Sequence, residues 1–433
     1  MSKTSDPPRA ACCVVDVKIS FGRRSLLRPL VLSTGTIESV TESQAEVTVE
    51  TIKGLRGRGR GAIYLSDLWA WPDPNVPHHT RAQALTGLCE EIAVRLPSLE
   101  NDEYLHPLQL GLRIHEWACH ELQTDLAIPS LARAMCASPF DAAIHDAVGI
   151  ALGLSAFDLY VESVAIPAAD RLFPTGGAIA AIRRLIQPAR EQLPAWLIVS
   201  PADALPEAIA IPRQQHGYGC FKLKMGGRDN RADVEQTVRV YRAARQVGVN
   251  HPQLTIDSNE ANPDALSVLD YLERLEKTDT DAYRALAYIE QPTARDILMR
   301  PFDWRPVTAR KPVMLDEGLT DLSVLEEAYC QGWSGLALKT CKGHSMLMAT
   351  AAWAREHGML LSLQDLTNPG IALIHGALVG SRLPTINGAE LNSPQFTPQA
   401  NLEFLPRLSA LFEPRDGVHR LPATMPLGLG SRL

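Results

Sequence analysis

The sequence predicts an α/β protein, in which an N-terminal α+β unit is followed by a closed barrel of alternating strands and helices. From about residue 195 onward, short apolar runs alternate with longer amphipathic runs, a pattern typical of parallel βα units. The first hundred residues instead carry β-branched runs and then a helical pattern. At roughly 100–200 residues per domain, 433 residues suggest two or three domains, or one large barrel with an appendage. Together these observations predict two units.

The N-terminal unit is expected to contain a small antiparallel sheet followed by helices. Partly alternating β-branched residues predict the strands, with Gly35 in the first turn. A glycine- and arginine-rich run at 54–61 then indicates a loop. Apolar residues at three- and four-residue spacing predict the helices. The strands are expected at 14–19, 30–33 and 45–50, and the helices at 81–95 and 141–152.

Eight short apolar strands are predicted in the remainder of the chain, which is the number that a closed barrel requires. Amphipathic stretches between them predict helices at 234–247, 263–276, 322–331 and 345–356. The strands are expected at 196–200, 220–225, 254–258, 286–290, 313–317, 335–339, 360–363 and 389–392. Because barrel enzymes place their chemistry at the carboxyl ends of the strands, those ends are where we expect the functional residues.

Composition and charge exclude several classes of function. The chain has 45% hydrophobic and 21% charged residues, which is an ordinary globular composition. Its 42 basic and 49 acidic side chains give a net charge of -7, so nucleic acid is not an expected partner. No apolar run is long enough for a membrane span or a signal peptide, which predicts a cytoplasmic protein without a membrane partner. The eight cysteines are widely spaced and are expected to be reduced.

Charged and polar residues stand at the ends of successive predicted strands. Three of them are carboxylates, spaced about one βα unit apart, and adjacent barrel strands would bring them together. Such a group would repel itself unless a hard divalent cation lay between its members, and oxygen ligands suit Mg²⁺. In chain order, the residues at the strand ends are Lys222, Lys224, Asp257, Glu290, Asp316, Lys339, Gln364 and Asp365.

Structural interpretations of the same residues remain open. A Lys-x-Lys pair is often a solvated strand, although Lys222 and Lys224 lie among residues expected to be buried. Asp257 is also suited to capping the following helix, and Asp316 to capping the helix near 322. The agreement of three carboxylates in register favours a metal site over separate helix caps.

At this point the sequence resembles the enolase superfamily, and within it the muconate-lactonizing-enzyme-like subgroup of the mandelate racemase/muconate lactonizing enzyme family. The resemblance rests on five motifs in order and covers most of the chain. It implies a modified TIM barrel of (β/α)7β type with an α+β capping domain. The motifs are Lys222-Leu-Lys224, Asp257 followed by Asn259, Glu290 in Ile-Glu-Gln-Pro, Asp316-Glu317, and Lys339.

The resemblance also implies roles for these residues. Asp257, Glu290 and Asp316 would bind Mg²⁺, with Asn259 and Glu317 beside them. Lys224 and Lys339 would be acid/base groups on opposite faces of a small carboxylate substrate, and the charge of Lys222 would lower the pKa of Lys224. The activity implied is removal of the proton α to the carboxylate through an enolate, as a racemase, epimerase or cycloisomerase.

Two departures from the family pattern bear on the reaction. Sugar-acid subgroups usually carry a histidine at the end of the seventh strand, where this chain has Gln364 or Asp365. The sixth-strand segment holds a second candidate, Lys342, although Lys339 follows the apolar run directly. An acid-sugar dehydratase and a carboxylate-binding barrel without turnover remain the alternatives.

The resemblance further implies loops that select the substrate and a homo-oligomeric assembly. We expect these loops at 54–61 and 20–28, with Arg23, Arg24, Arg28 and Arg60 as candidate anion contacts. The capping domain is expected to span 1–160 and the barrel 161–392, with a tail, 393–433, returning to the cap. The stretch 163–193 receives no role from the sequence.

Overall fold

Three long antiparallel strands form the N-terminal sheet of this computed structural model, which describes residues 9–32, 35–100 and 103–433. The order is β1 (Cys12–Leu32), β2 (Gly35–Thr51), β3 (Arg56–Leu65). Ala45, Val47 and Val49 alternate into the core, which is why this sequence pairs as a sheet with one buried face. Ser33, at the end of the predicted second strand, lies outside the described residues.

The two predicted cap loops are wrong for most of their length, because 20–28 lies within β1 and 56–61 lies within β3, and only 54–55 form a bend before β3. Residues 20–25 pair with β2 from Ser20 opposite Gln44 to Ser25 opposite Ser39, and 56–65 form β3. Gly54 belongs to the turn before β3, at a φ of 75°, whereas the three later glycines allow close packing. A Cβ at Gly59 would overlap the carbonyl oxygen of Ala143 in the neighbouring helix, and Gly57 and Gly61 are equally close to that helix. The alternating arginines consequently point to the opposite face.

Helices cover the inner face of this sheet, and the sheet and these helices are called the cap below. The longest of them, α4, packs directly on β3 and carries the buried residues of the predicted 141–152 helix. The helices are α1 (Asp67–Ala70), α2 (His78–Arg95), α3 (Pro107–Glu116) and α4 (Ser130–Leu152).

Two elements connect the cap to the barrel, in the stretch 163–193 that the sequence left unassigned. Helix α5 (Gly177–Leu185) buries one apolar face. Strand β4 (Gln192–Pro194) makes a two-stranded antiparallel pair with β12 (Val418–Arg420) near the carboxyl end of the chain. This stretch therefore links the barrel to the tail.

Seven parallel strands, from β5 to β11, form the barrel sheet in sequence order, with helices between them. The fold class is thereby confirmed. The strands are β5 (Trp196–Val199), β6 (Cys220–Lys224), β7 (Gln253–Asp257), β8 (Leu286–Glu290), β9 (Val313–Leu315), β10 (Gly335–Lys339) and β11 (Leu360–Gln364). The helices are α6 (Glu207–His216), α7 (Asn230–Gln246), α8 (Ala265–Thr278), α9 (Thr280–Ala285), α10 (Arg305–Thr308), α11 (Leu325–Cys330), α12 (His344–Glu356) and α13 (Gly370–Arg382).

The eighth predicted strand, 389–392, is not a ladder strand. The segment runs between the two edge strands of the sheet and bonds to both by single contacts. Glu390 N donates to the carbonyl of Leu363 at 3.0 Å, and Asn392 Nδ2 donates to the carbonyl of Trp196 at 3.0 Å. Side-chain contacts thus replace part of the ladder that a regular strand would form.

The tail contains α14 (Ser393–Phe396) and α15 (Ser409–Phe412) and ends against the cap. The carboxylate of Asp146 in α4 accepts hydrogen bonds from Leu429 N at 2.7 Å, from Arg60 N at 3.0 Å and from the Ser431 hydroxyl. One buried side chain therefore ties the tail to the cap. No helix among the described residues is long and apolar enough to cross a bilayer.

Candidate active site

The predicted site residues converge at the carboxyl ends of β6 to β11. The register aligns Lys224 with Asp257, Asp257 with Glu290, and Lys339 with Gln364. All of these side chains are buried, Lys222 and Lys339 at 4% exposure and Glu290 at none. Burial of so many ionisable groups requires that they neutralise one another. The alternating strand geometry places both lysines of β6 on the inner face.

Lys222 lies at the centre of the barrel end. Its Nζ is 2.6 Å from Glu290 Oε2, 3.2 Å from Glu390 Oε2 and 3.4 Å from Asp257 Oδ2. Burial disfavours the charged form of Lys222, but these carboxylates outweigh it and raise its pKa well above the ordinary value. Lys222 is therefore held as a cation.

Lys224 follows Lys222 by two residues and is the last residue of β6. Its Nζ is 2.6 Å from Asp257 Oδ2 and donates to Asn259 Oδ1 at 3.0 Å. Asn259, at a positive φ of 44°, also donates through its backbone N–H to Asp257 Oδ1 at 2.8 Å. Burial opposes ionisation of Asp257, but the two lysines lower its pKa. Asp257, Asn259 and Lys224 thus form one connected group.

Asp316 directly follows β9, and two lysines contact its carboxylate. Lys339 Nζ lies 2.5 Å from Asp316 Oδ2, and Lys342 Nζ lies 3.0 Å from Oδ1. Burial opposes the charge of Asp316, but both lysines lower its pKa far below the usual range. Burial likewise disfavours the charge of Lys339, whereas Asp316 and Glu290 raise its pKa.

The cap contributes Trp69 to the site. Its indole Nε1 donates to Glu317 Oε1 at 2.9 Å, and Lys339 Nζ lies 4.7 Å from the centre of its ring. Asn259 Nδ2 donates to the same Glu317 oxygen at 3.1 Å. Burial and the neighbouring charge of Asp316 raise the pKa of Glu317 to about 7. Glu317 therefore connects Trp69 of the cap to Asn259, which is bonded to Lys224.

The residues fit a divalent cation by their chemistry. In the site, five buried carboxylates face four buried lysines, and Glu290 Oε1 and Glu317 Oε2 have no hydrogen-bond partner. Burial and the like charge of Asp257 raise the pKa of Glu290, which is the environment that a bound cation would relieve. The ammonium groups lie between the carboxylates, and among the described residues no three His, Cys, Asp or Glu side chains form a ready metal cluster.

A cavity of about 50 Å³ lies between the cap and the strand ends. Lys222, Lys224, Lys339 and Asn259 all line it. Lys342 is not among its lining residues and instead donates to the backbone carbonyl of Asp316 at 2.6 Å. This difference favours Lys339 over Lys342 as the lysine that meets a ligand.

A larger cavity, of about 580 Å³, lies away from these lysines. It is bounded by α6, the tail and the β1 residues Leu27 and Arg28. Its walls are mostly apolar, and none of the buried lysines and carboxylates of the strand ends lines it. We therefore assign the candidate active site to the smaller cavity, because the reactive groups converge there.

Known proteins share this architecture. A family model for enolase C-terminal domain-like proteins matches residues 205–433, more than half of the chain. The chain belongs to the enolase superfamily. This membership, predicted from the sequence motifs, implies an enzyme. Among curated proteins, none matches this chain.

Three solved structures show the same overall fold. Muconate lactonizing enzyme from Pseudomonas fluorescens, complexed with muconolactone, is 19% identical with a TM-score of 0.63, over 97% of this chain and 96% of that one. Dipeptide epimerase from Enterococcus faecalis, complexed with Mg and a dipeptide, is 17% identical with a TM-score of 0.63, over 96% and 99%. An enolase from Bradyrhizobium, complexed with magnesium and mandelic acid, is 19% identical with a TM-score of 0.62, over 97% and 95%.

Other residues cap the helices that the site carboxylates were suited to cap. Asp264 accepts from Ser267 N at 2.7 Å at the start of α8, and Asp321 accepts from Ser323 N at 2.8 Å before α11. Asp257 and Asp316 have no part in either cap, so helix capping does not account for them.

The four candidate arginines of the cap lie away from the cavity. Arg24 pairs with Glu42 at 2.7 Å, and Arg28 pairs with Asp203 at 3.1 Å. Arg23 donates to Ser39, and Arg60 to Gln44. The structure therefore does not bring these side chains together with the lysines, although their role toward an anion stays a prediction.

Sequence reasoning missed three residues of the site. Glu390 contacts Lys222 and accepts from the Tyr288 hydroxyl at 3.1 Å, and its signal was an acid inside a predicted apolar strand. Gln291 Oε1 accepts from Asp316 N at 2.8 Å and from Gly318 N at 3.1 Å, and it directly follows Glu290. Trp69 carried no signal, because only the folded cap brings it to the barrel.

Proposed function

We propose that the protein removes the proton α to the carboxylate of a small substrate, through an enolate and with Mg²⁺, as a racemase, epimerase or cycloisomerase. The observation that carries this proposal is the position of Lys224 and Lys339. Both line one cavity, and they come from β6 and β10, on either side of the three strands that carry Asp257, Glu290 and Asp316. Two lysines so placed suit proton removal on one face and proton return on the other.

The chain's own residues have distinct tasks in this reaction. Lys224 Nζ takes or returns a proton on one face, held in place by Asn259. Lys339 Nζ does so on the other face, above the Trp69 ring. Lys222 provides a fixed positive charge at the floor of the cavity. The cap closes the site against water, which strengthens each of these electrostatic interactions.

Asp257, Glu290 and Asp316 would hold the Mg²⁺ ion. When bound, the ion supplies the positive charge that stabilises an enolate next to a carboxylate. A substrate carboxylate would add a further negative charge to a site whose carboxylates already outnumber its lysines by one. This charge balance supports a divalent cation as the resident cofactor.

Proton exchange tests the proposal directly. The protein would be incubated in D₂O with Mg²⁺ and a panel of N-acylated amino acids, dipeptides and sugar acids, and α-proton loss followed by NMR. We expect exchange with at least one acid and its loss on addition of EDTA. Conversion of a sugar acid to a keto acid with loss of water, without α-proton exchange in the remaining sugar acid, would indicate a dehydratase instead. Binding without exchange across the panel would indicate a barrel that binds carboxylates without turnover.

Assembly and domain organisation are part of the same proposal. We propose a cytoplasmic homo-oligomer with a cap of residues 1–160, a barrel of 161–392 and a tail of 393–433. The resemblance to the family supports the assembly, and light scattering at micromolar concentration tests it. A monomer at that concentration would contradict it.

A further inference from the structure

The cavity between the cap and the strand ends has two unlike sides. Its lower side is formed by the lysines of the strand ends. Its upper side, called the roof here, is mostly apolar and consists of the hairpin residues Leu30, Ile37 and Val40. Ile198 and Leu366 of the barrel and Trp69 and Ser66 of the cap complete the lining around it. A ligand whose carboxylate faces the lysines would therefore direct its other substituents toward the roof.

The roof is built by the hairpin of β1 and β2. Leu30 is opposite Ile37 in the register, and both are 8% exposed. Because side chains alternate along a strand, Ile37 faces the cavity whereas the exposed Thr36 faces away. Leu30, Ile37 and Val40 pack in one apolar cluster with Ile198 of the barrel. The apolar surface thus continues from the cap onto the barrel.

Cationic groups of the hairpin are committed to other partners. Arg24 is paired with Glu42, and Arg28 is paired with Asp203 and donates to the carbonyl of Ile198 at 3.0 Å. Among the described residues that line the cavity, the only cations are Lys222, Lys224 and Lys339. All three extend from the barrel strands β6 and β10, whereas Leu30, Ile37 and Val40 belong to the hairpin of the cap.

Desolvation then decides which substituents the roof accepts. Burying an unpaired carboxylate against aliphatic side chains is costly, because it loses its water and finds no donor. Burying an aliphatic group there is favourable, at about 25 cal/mol per Å² of apolar surface. A selectivity of at least tenfold needs only about 1.4 kcal/mol of this difference.

We propose that the substrate is a carboxylate with an uncharged, apolar substituent that packs under Leu30, Ile37 and Val40, and that it has no second anionic group. This inference rests on the proposed function for the placement of the carboxylate. It goes further, because it excludes dicarboxylates as substrates.

Matched ligands test the inference. N-acetyl-leucine and N-acetyl-aspartate have side chains of nearly equal shape, and they differ in a terminal isopropyl or carboxylate group. Both enantiomers of each would be incubated with the protein and Mg²⁺ in D₂O. We expect α-proton exchange of N-acetyl-leucine to be at least tenfold faster. Equal or faster exchange of N-acetyl-aspartate would overturn the inference.

Calorimetric titration with the same ligands separates this inference from the proposed function. If neither ligand exchanges but N-acetyl-leucine binds at least tenfold more tightly, the proposed reaction fails for these acids and the apolar roof stands. If N-acetyl-leucine does not bind, or binds no better than N-acetyl-aspartate, the inference is overturned whatever the exchange result.

Variants of the hairpin provide the second test. Ile37→Arg places a cation in the roof and should shift the preference toward N-acetyl-aspartate by at least tenfold. Thr36→Arg adds the same charge on the outer face and should leave the preference unchanged. Circular dichroism establishes that both variants are folded. A folded Ile37→Arg protein with the wild-type preference would show that the roof does not contact the substituent, and would overturn the inference.

Discussion

The two lysines that line the cavity differ in their immediate surroundings. Lys224 contacts one carboxylate and the amide of Asn259, whereas Lys339 contacts Asp316 and lies against the Trp69 ring. They also belong to different strands, so each approaches a bound ligand from its own direction. The consequences of removing them are therefore expected to differ.

Lys224→Ala should abolish α-proton exchange from one enantiomer of the substrate, and Lys339→Ala should abolish it from the other. Each base reaches only one face, and losing a general base typically costs about 10²–10⁴ in rate. Deuterium incorporation into each pure enantiomer measures the effect.

Lys18→Ala, on the exposed surface of the cap sheet, is the matched control and should leave both exchange rates unchanged. If one lysine variant loses turnover but keeps exchange, the protein is a cycloisomerase or a lyase, with the second lysine acting through its charge. Full activity in both lysine variants would rule out the lysine-pair mechanism.

Glu290→Gln should weaken binding of a divalent cation at least tenfold. The substitution keeps the shape of the side chain but removes the charge of the carboxylate on the central metal strand, and hard cations bind to anionic oxygen. Mn²⁺ binding, followed by electron paramagnetic resonance, reports this without any substrate. Glu413→Gln, at an exposed position, is the control. Unchanged Mn²⁺ affinity in Glu290→Gln would remove Glu290 from the metal site.

The chemistry of the site could be predicted from the sequence where it depends on strand ends. The carboxyl ends of parallel barrel strands meet at one end of the barrel. Lys224, Asp257 and Lys339 each end a strand, so their positions could be predicted. Trp69 and Glu390 could not be placed in this way. Trp69 reaches the site only through docking of the cap, and Glu390 only because an irregular segment replaces the eighth strand.

At the scale of elements, β3 and α4 approach each other closely. Gly59→Ala should destabilise the protein, because the new Cβ would overlap the carbonyl of Ala143 and neither backbone can move freely. Overpacking of this kind costs about 1–3 kcal/mol. The midpoint of urea unfolding, followed by circular dichroism, should fall accordingly.

Gly87→Ala is the matched control for this substitution. Gly87 is exposed in the middle of α2, and a Cβ there would meet nothing within 4 Å. Alanine should stabilise the helix by about 0.5–1 kcal/mol. If the two substitutions had the same effect, the close packing of β3 on α4 would be contradicted.

The same contact explains why the cap was harder to predict than the barrel. In the barrel, short apolar strands alternate with longer amphipathic helices, and the change of pattern marks where each element begins and ends. In 54–61 the glycines have no side chain from which an inner face can be recognised, so the sequence indicated a loop. The missing side chains are in fact what lets the helix approach.

At the scale of the whole molecule, cap and barrel meet at a buried polar cluster. His344 of α12 and His375 of α13 lie 2.9 Å apart between Nδ1 and Nε2, and the Tyr160 hydroxyl is 3.3 Å from His344 Nε2. His145 and Asp141 of α4 face them from the cap, 3.1 Å apart. Burial lowers the pKa of His375 to about 4 and that of His344 well below its ordinary value.

The contribution of His344 and His375 to stability should therefore be lost as the pH falls from 7 to 5. The unfolded chain takes up protons on these two side chains near pH 6.5 while the folded protein excludes them, so this pair favours unfolding in acid. The raised pKa of Glu317 acts in the opposite direction. For His375 the loss is about 2 kcal/mol at pH 5. Urea unfolding at several pH values measures the slope. His375→Gln should flatten it, whereas His79→Gln, at an exposed position, should not. A slope that His375→Gln does not change would contradict the assignment.

The bond network around Asp146 bears on how the chain folds while it is being made. Synthesis proceeds from the amino end at about 5–20 residues per second, so α4 emerges long before Leu429 and Ser431 exist. Until these two residues dock, the Asp146 carboxylate lacks two of its hydrogen-bond donors. The nascent cap is therefore expected to remain incompletely packed until Leu429 and Ser431 have left the exit tunnel and docked.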